Sequence, residues 1–359
     1  MIQVEGSAGY YGDKLASLRD IFGSSRIALE GNSLRVADRQ YPIVDDVIVV
    51  LSPHEYPTHL VRRLARATAA TGAGSDVTFA AGIQSTFGQE WGAFPEILPD
   101  HEAEFRAYFD LIDIDSLAQT RVCDLGCGSG RWSHFLRQRC RELVLVDFSE
   151  AIFVARDNLR DCANAIFVMG DLTRLPFSAD FAGLIICLGV LHHLPVPALD
   201  VVRHLGRYSP RLLVYLYYAL DNRPIHYKLL LKAVTAVRRV TSRVHSPRLR
   251  SVIAWAGTLV IYSPLVALGS ALRRVGMGHL VPLYEIYHGK SVGRMRQDVY
   301  DRFFTSIEQR FSRQQLLALR DAFQEVRISA GLPYWHFLCV RAGVSSADKT
   351  LAPTEGSLP

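Results

Sequence analysis

The apolar positions of this chain change rhythm along its length. Residues 15–22 have a short helical spacing. From 26 to 51 the apolar residues come in brief runs, 26–30, 34–36 and 40–51, broken at Gly31-Asn32, and predict small antiparallel strands. A stretch rich in Gly, Ala and Thr follows at 65–76 and reads as a linker. Beyond it the pattern becomes strand and helix in alternation. Apolar runs at 121–125, 142–146, 165–169, 181–188 and 211–218 are interleaved with helical spacings at 105–112 (Phe105, Tyr108, Phe109, Ile112), 131–140 (Trp132, Phe135, Leu136) and 198–206. Runs without in-out alternation suit strands covered on both faces, so this part predicts a doubly wound α/β sheet. A helix from Ser312, its N-cap, to Phe323 and strands at 325–329 and 334–341 resume the pattern near the end.

Between 222 and 300 the rhythm is interrupted by an insertion of different character. Residues 251–272 are 22 uncharged residues in a row, flanked by Arg248 and Arg250 on one side and Arg273 and Arg274 on the other. Length alone would let them span a bilayer. Gly257 and Pro264 in the middle, basic residues on both flanks and the need to return to the same sheet favour a helical hairpin broken near Ser263-Pro264 instead. Such a hairpin would act as a hydrophobic lid over a substrate or lie in a membrane interface.

Charge sharpens this division. The net charge is +5, yet 222–297 holds thirteen Lys and Arg against one acid, Glu285, leaving 27 of the 40 basic residues and 34 of the 35 acids elsewhere, a net of −7. Aliphatic residues rather than interleaved aromatics accompany the cations, so membrane contact through 222–297 is expected and nucleic-acid binding is not. An apolar fraction of 49% in 359 residues supports a large core. Six scattered cysteines (Cys123, Cys127, Cys140, Cys162, Cys187, Cys339) form no C-x-x-C pair, which suits a reducing compartment and argues against a metal site. The start lacks a basic-then-apolar signal pattern, so a cytoplasmic protein is expected, with the inner membrane face as an alternative address.

The chemistry concentrates at 121–130, where an apolar run ends in Asp124 and then Gly126, Gly128 and Gly130 alternate. Neither G-x-G-x-x-G nor G-x-x-x-x-G-K-[ST] is present. An acid just ahead of the glycines would repel a diphosphate and welcome a cationic amino-acid moiety. The run Asp124-Leu-Gly-Cys-Gly-Ser-Gly130 resembles the first motif of class I S-adenosylmethionine (SAM) dependent methyltransferases, strongly over 105–220 and again over 312–342. The resemblance implies a Rossmann-like seven-stranded sheet and SAM as cofactor. It implies cofactor contacts at Asp124, Gly126, Gly128 and Gly130; at Asp147, about 20 residues on, for the ribose hydroxyls, with Phe148; at Asp171 for the adenine amino group, with Leu172; and at Leu188.

The chain then divides into an N-terminal β module (1–64), a linker with an aromatic cap segment (65–104), the cofactor core (105–221), the insertion (222–300), the rest of the core (301–342) and a disordered tail (343–359). Residues 41–45 with the strand after them resemble a small zinc-ribbon-like module found beside methyltransferases, here without its cysteines. Phe87-Gly-Gln-Glu-Trp91 resembles a segment that lies across the SAM pocket in related enzymes, or is a helix packing its aromatics on the sheet. His192 and His193 follow the fourth strand of the core, and either could be a general base or a structural residue. Tyr217 and Tyr218 are further pocket candidates, of which only one can face inward, and Gln309 and Arg310 could reach an acceptor. The insertion points to an apolar or amphipathic acceptor such as a lipid, quinone or polyketide-like compound, methylated on oxygen or carbon. An RNA or protein methyltransferase and a SAM-binding scaffold without turnover are the alternatives.

Overall fold

The computed structural model describes residues 8–67, 79–244 and 246–343. Most of the expected 65–76 linker and the tail from 344 onward lie outside the described residues.

Eleven strands form one sheet: β1 (Ile27–Glu30), β2 (Ser33–Val36), β3 (Arg39–Val44), β4 (Val47–Val49), β5 (Arg121–Leu125), β6 (Glu142–Asp147), β7 (Ala165–Met169), β8 (Leu184–Leu188), β9 (Arg211–Tyr215), β10 (Glu325–Ile328) and β11 (Phe337–Val340). Their order is β1-β2-β3-β4-β7-β6-β5-β8-β9-β11-β10. The last seven in this order are the expected doubly wound core, with β7, β6, β5, β8 and β9 parallel and β11 antiparallel between β9 and β10. The sheet is therefore wider than the seven strands expected, because the N-terminal strands are not a separate module. They form a meander whose last strand, β4, adds to β7 in parallel. The run 40–51 is two strands, turned at Asp45 and Asp46, both with positive φ.

The three residues of β4 reach only Phe167–Met169 of β7. Ahead of that pairing two tyrosines stand in for a strand. The Tyr10 hydroxyl donates to the Ala165 carbonyl at 2.9 Å, and the Phe167 amide donates to the Tyr11 hydroxyl at 3.2 Å. A buried edge is thus satisfied by side chains where no backbone is available. At the start of β5 the buried Arg121 donates to the Phe181 carbonyl at 2.7 Å and pairs with Asp20 and Glu142, joining the N-terminal helix Leu15–Phe22 to the core.

The insertion carries its own small core of Ala254, Tyr262, Tyr287, Met295, Val299, Tyr300, Phe303 and Phe304. Its helices are Ile225–Thr241, a long helix Pro247–Arg273, Tyr284–Tyr287 and Val292–Phe304. The expected break at Ser263-Pro264 does not occur. Residues Thr258–Tyr262 wind as a π-turn, with the Ser263 amide donating to the Thr258 carbonyl five residues back, and Pro264 opens the next α-helical stretch. Proline clashes with the carbonyl four residues before it in an α-helix; widening that turn removes the conflict and lets one helix run through.

Candidate functional site

A cavity of about 460 Å³ opens at the C-terminal ends of β5, β6, β7, β8 and β9, where the strand order reverses between β5 and β8. Doubly wound sheets bind ligands at this point. It is walled by the loops after the strands, the helices Phe79–Ala93 and Asp100–Tyr108, the start of the helix Arg131–Leu136, residues 285–302 and Leu332-Pro333.

The loop after β5 is built tightly. Gly126 has φ +73° and its amide donates to the Val146 carbonyl at 2.7 Å. A Cβ on Gly126 would lie 2.4 Å from Val190, and one on Gly128 would lie 2.6 Å from the Trp91 ring. These glycines therefore admit protein side chains, and of the three motif glycines only Gly126 reaches the cavity wall. Gly130 precedes the helix Arg131–Leu136.

Asp124 does not line the cavity either. It is buried behind the loop, where the Ser133 hydroxyl donates to it at 2.8 Å, and burial raises its carboxyl to about 7. Asp147, Phe148, Asp171, Leu172 and Leu188 do line it. Asp147 is already engaged. Its Oδ1 accepts from the Ser149 amide (2.8 Å) and hydroxyl (2.7 Å), and its Oδ2 accepts from the Gly128 amide at 2.9 Å. A carboxylate has about four acceptor positions, and protein donors take most of them here. Asp171 likewise accepts from Thr173 and pairs with Arg174.

The helix Phe79–Ala93 presents Ile83, Gln84, Phe87, Glu90 and Trp91 to the cavity, the i, i+3, i+4 spacing of one helical face. Gln84 ties it down by donating to the Phe148 carbonyl at 2.8 Å. Glu90 is buried, one carboxyl oxygen has no partner, and burial, then Asp301, holds its pKa well above the carboxylate range. Arg131 lies over Trp132 and Trp91, 4.4 and 5.1 Å from the ring centroids. The donors, acceptors and aromatic walls on this side fit an adenosyl compound that carries an amino acid and a sulfonium; Glu90 faces the cavity from the helix, as Asp147 and Asp171 do from the loops, whereas Asp124 does not.

The other side of the cavity is where the two histidines part company. His192 is fully buried, stacks on Tyr217 at 3.8 Å between centroids and is absent from the wall. Burial keeps its pKa far below the usual histidine value. His193 lines the cavity. Its Nδ1 is 2.8 Å from the Ile307 carbonyl, its Nε2 has no hydrogen-bond partner, and Asp301 Oδ1 stands 3.9 Å from Nε2. The Tyr217 hydroxyl donates to Asp301 Oδ2 at 2.7 Å. Tyr218 turns the other way, toward Tyr334 and Trp335, as alternation along a strand requires. Gln309 and Arg310 are also elsewhere. Gln309 pins the loop after β8 through the Leu194 and Val196 carbonyls and the Ala198 amide, and Arg310 donates to the Tyr218 carbonyl.

From the insertion the cavity receives mostly charged and polar side chains, with Ile286 and Tyr287 beside them. The helix Val292–Phe304 contributes Arg294, Gln297, Asp298, Asp301 and Arg302, and Lys290 precedes it. Lys290 and Arg294 both pair with Glu104, at 2.5 and 2.8 Å. The long apolar helix Pro247–Arg273 contributes nothing to the wall, so the expected hydrophobic lid over the substrate is not what this helix forms. Among the described residues, no group of three or more His, Cys, Asp or Glu gathers as a metal site.

Residues 122–208 match the family described as methyltransferase domain. No curated protein matches the chain. Several solved structures are similar over parts of it. Magnesium protoporphyrin IX methyltransferase from Synechocystis PCC 6803, solved with bound SAH, is 17% identical, with 79% of this chain and 93% of that one covered and a TM-score of 0.36. Phosphoethanolamine N-methyltransferase 1 from Haemonchus contortus, in complex with phosphoethanolamine and S-adenosylhomocysteine, is 18% identical over 40% of this chain and 34% of its own, with a TM-score of 0.35. The YcgJ protein of Bacillus subtilis is 23% identical over 37% of this chain and 58% of its own, with a TM-score of 0.31. The chain thus spans less than two thirds of the latter two proteins.

Proposed function

We propose that this chain, whose residues 122–208 match the methyltransferase-domain family, uses SAM as its cofactor and transfers a methyl group to a hydroxyl or acidic carbon of an amphipathic small molecule. His193 is the observation that carries this reading. The Ile307 carbonyl beside Nδ1 can only accept, so the proton of the neutral ring sits on Nδ1 and the lone pair on Nε2, at the cavity wall and without a partner. Burial lowers the pKa of His193 and keeps the ring neutral at neutral pH, the state a general base needs.

SAM, when bound, supplies a methyl group already activated on a sulfonium. The chain's own residues do the rest. Asp147, Phe148, Asp171, Leu172 and Leu188 would hold the adenosyl part, and Glu90, whose carboxyl burial keeps protonated, would hydrogen-bond the amino-acid end. Phe87, Trp91 and Trp132 exclude water from the space between them. The proton taken by Nε2 creates an imidazolium, which the Asp301 carboxylate stabilises from 3.9 Å while Tyr217 holds that carboxylate in place. The wall carries apolar and aromatic side chains (Tyr108, Tyr215, Leu194, Val196) as well as charged ones (Arg294, Asp298, Arg302), which suits an acceptor with both apolar and polar parts.

The test uses purified protein, isotopically labelled SAM and a cell extract, followed by mass spectrometry of the small molecules. Label should enter a lipid-soluble hydroxyl or carbon acid. The His193→Gln variant should be slower by about 10²–10⁴-fold with SAM affinity retained. Label found only in RNA or protein would replace the acceptor class. Retained SAM affinity with no labelled product in any fraction would make the chain a binding protein.

A further inference from the structure

The helices Ile225–Thr241 and Pro247–Arg273 take no part in the cavity, yet they hold the most unusual surface of the molecule. Fifteen of the eighteen large hydrophobic side chains that are strongly exposed among the described residues lie between Ile225 and Leu280. Soluble monomers seldom leave so much apolar surface in one place. On the long helix, Val252 (63%), Leu259 (57%) and Val260 (73%) face out together with Trp255 and Leu268.

The same region is free of acids from 222 to 284. Its cations are of two kinds. Arg223, Arg238 and Arg250 are used internally, on Glu285, Glu308 and the Val244 carbonyl. Lys228, Lys232, Arg239 and Arg243 of the first helix and its following turn, and Arg248, Arg273 and Arg274 at the two ends of the second, are exposed and have no partner among the described residues. Unpaired cations bordering exposed aliphatic side chains are the pattern of a helix lying in the interface of an anionic bilayer.

The long helix is apolar and long enough to cross a membrane, by length and composition. Its opposite face argues against crossing. Ala254, Thr258, Tyr262 and Gly269 are buried, Gly257 meets Val299 and Gly269 meets the Tyr284 ring so closely that no Cβ would fit. The helix packed there, Val292–Phe304, carries Arg294, Asp298 and Arg302 and forms the cavity wall. A spanning helix would carry these ionised groups into hydrocarbon. A helix lying flat would leave them on the protein side.

We infer that the two insertion helices dock this protein onto the surface of an anionic phospholipid bilayer, with Val252, Trp255, Leu259, Val260 and Leu268 entering the headgroup boundary and the seven unpaired cations binding lipid phosphates. This does not depend on the methyl-transfer reading, since the residues are disjoint from the cavity.

The test is flotation of the full chain with vesicles of phosphatidylcholine containing one third phosphatidylglycerol, compared with pure phosphatidylcholine. The protein should partition onto the anionic vesicles at low salt, with at least about a tenfold fall as salt rises from roughly 0.05 to 0.5 M. Acyl chains brominated near the headgroup should quench part of the tryptophan emission, and Trp255→Phe should remove that quenching. The combined variant K228Q/K232Q/R239Q/R243Q should lower partition at least about tenfold while leaving the melting temperature and SAM affinity unchanged. The salt titration and quenching of the unsubstituted protein decide the matter should that variant fail to fold. Equal partition onto neutral vesicles, no partition, or no quenching would overturn the inference. So would tighter binding to duplex nucleic acid than to vesicles, or a dimer in sedimentation velocity that Trp255→Ser abolishes, which would make a second copy the occupant.

Discussion

His193 and Asp301 come from a loop and a helix more than a hundred residues apart in sequence, and their 3.9 Å separation sets a measurable sign. Burial lowers the His193 pKa, and Asp301 is the largest influence raising it. Only the neutral ring can take a proton, so the acid limb of kcat/KM should lie below the ordinary histidine value of about 6.5. In Asp301→Asn the raising influence is gone, and the limb should move to lower pH. The plateau rate should fall as well, because the imidazolium loses its counter-charge. A pH–rate profile of the two proteins checks both. A limb that moved up would mean that another group titrates. Asp147 makes a second prediction at this scale. It accepts from the Gly128 amide of the glycine loop and lines the cavity, so it would act on a bound cofactor both directly and through the loop. Asp147→Ala should weaken SAM binding by about 2 kcal/mol, the magnitude of a hydrogen bond to a charged group. Calorimetry measures this, and an unchanged affinity would remove Asp147 from the site.

At the scale of elements, the site depends on how the helices Phe79–Ala93 and Val292–Phe304 are fastened. Gly128, at φ +55°, lies under Trp91 of the first of these. Gly128→Ala adds about 1–2 kcal/mol of backbone strain and pushes the Trp91 ring away. The expected outcome is a lower melting temperature, a shift in tryptophan emission and weaker SAM binding, with Val190→Ala as a control that leaves the Trp91 contact alone. The second helix is held by Glu104, from the helix Asp100–Tyr108, which binds Lys290 and Arg294. Burial acts to raise the Glu104 pKa, but Arg294, Lys290 and Arg131 outweigh it and bring it to about 2. A carboxyl whose folded pKa is depressed stabilises above its unfolded value of about 4.3 and loses that contribution as pH falls toward 2. Glu104→Gln leaves Arg294 buried without its nearest counter-charge and should cost about 3 kcal/mol, less at pH 3 than at pH 7. Thermal melts at the two pH values test this.

At the scale of the whole molecule, the N-terminal strands belong to the core sheet. β4 pairs with β7, Tyr10 and Tyr11 complete the β7 edge, and Asp20 is a partner of the buried Arg121. A fragment starting at 79 would expose a flat apolar strand and leave that arginine with Glu142 alone. It should be insoluble or bind a hydrophobic dye, whereas the whole chain should not. A soluble, cooperatively melting fragment would show that the meander is dispensable.

The amino-acid sequence by itself determined the alternation of strands and helices, the order in which the core is built, the tight loop after β5 and the separation of a basic, apolar insertion. These follow from local rules. A strand covered on both faces needs an unbroken apolar run, and positive φ favours glycine, so Cys123, Leu125 and Gly126 announce their places without reference to distant residues. The tertiary structure alone decided which charged groups face the ligand. Asp124 is held behind the glycine loop by Ser133, while Glu90 reaches the wall from a helix outside the core. Asp298 and Asp301 reached the cavity from the helix that closes the insertion, just past the acid-poor stretch ending at 297. His193 and not His192 was exposed to the cavity because a 3₁₀ turn, Leu191–His193, aims consecutive side chains differently and Tyr217 already covers one of them. Pro264 was read as a break and became part of a continuous helix because a π-turn and the packing of Tyr262 and Gly269 favoured one rod over two. In each case the outcome depended on contacts between segments far apart in the chain, and periodicity carries no information about such contacts.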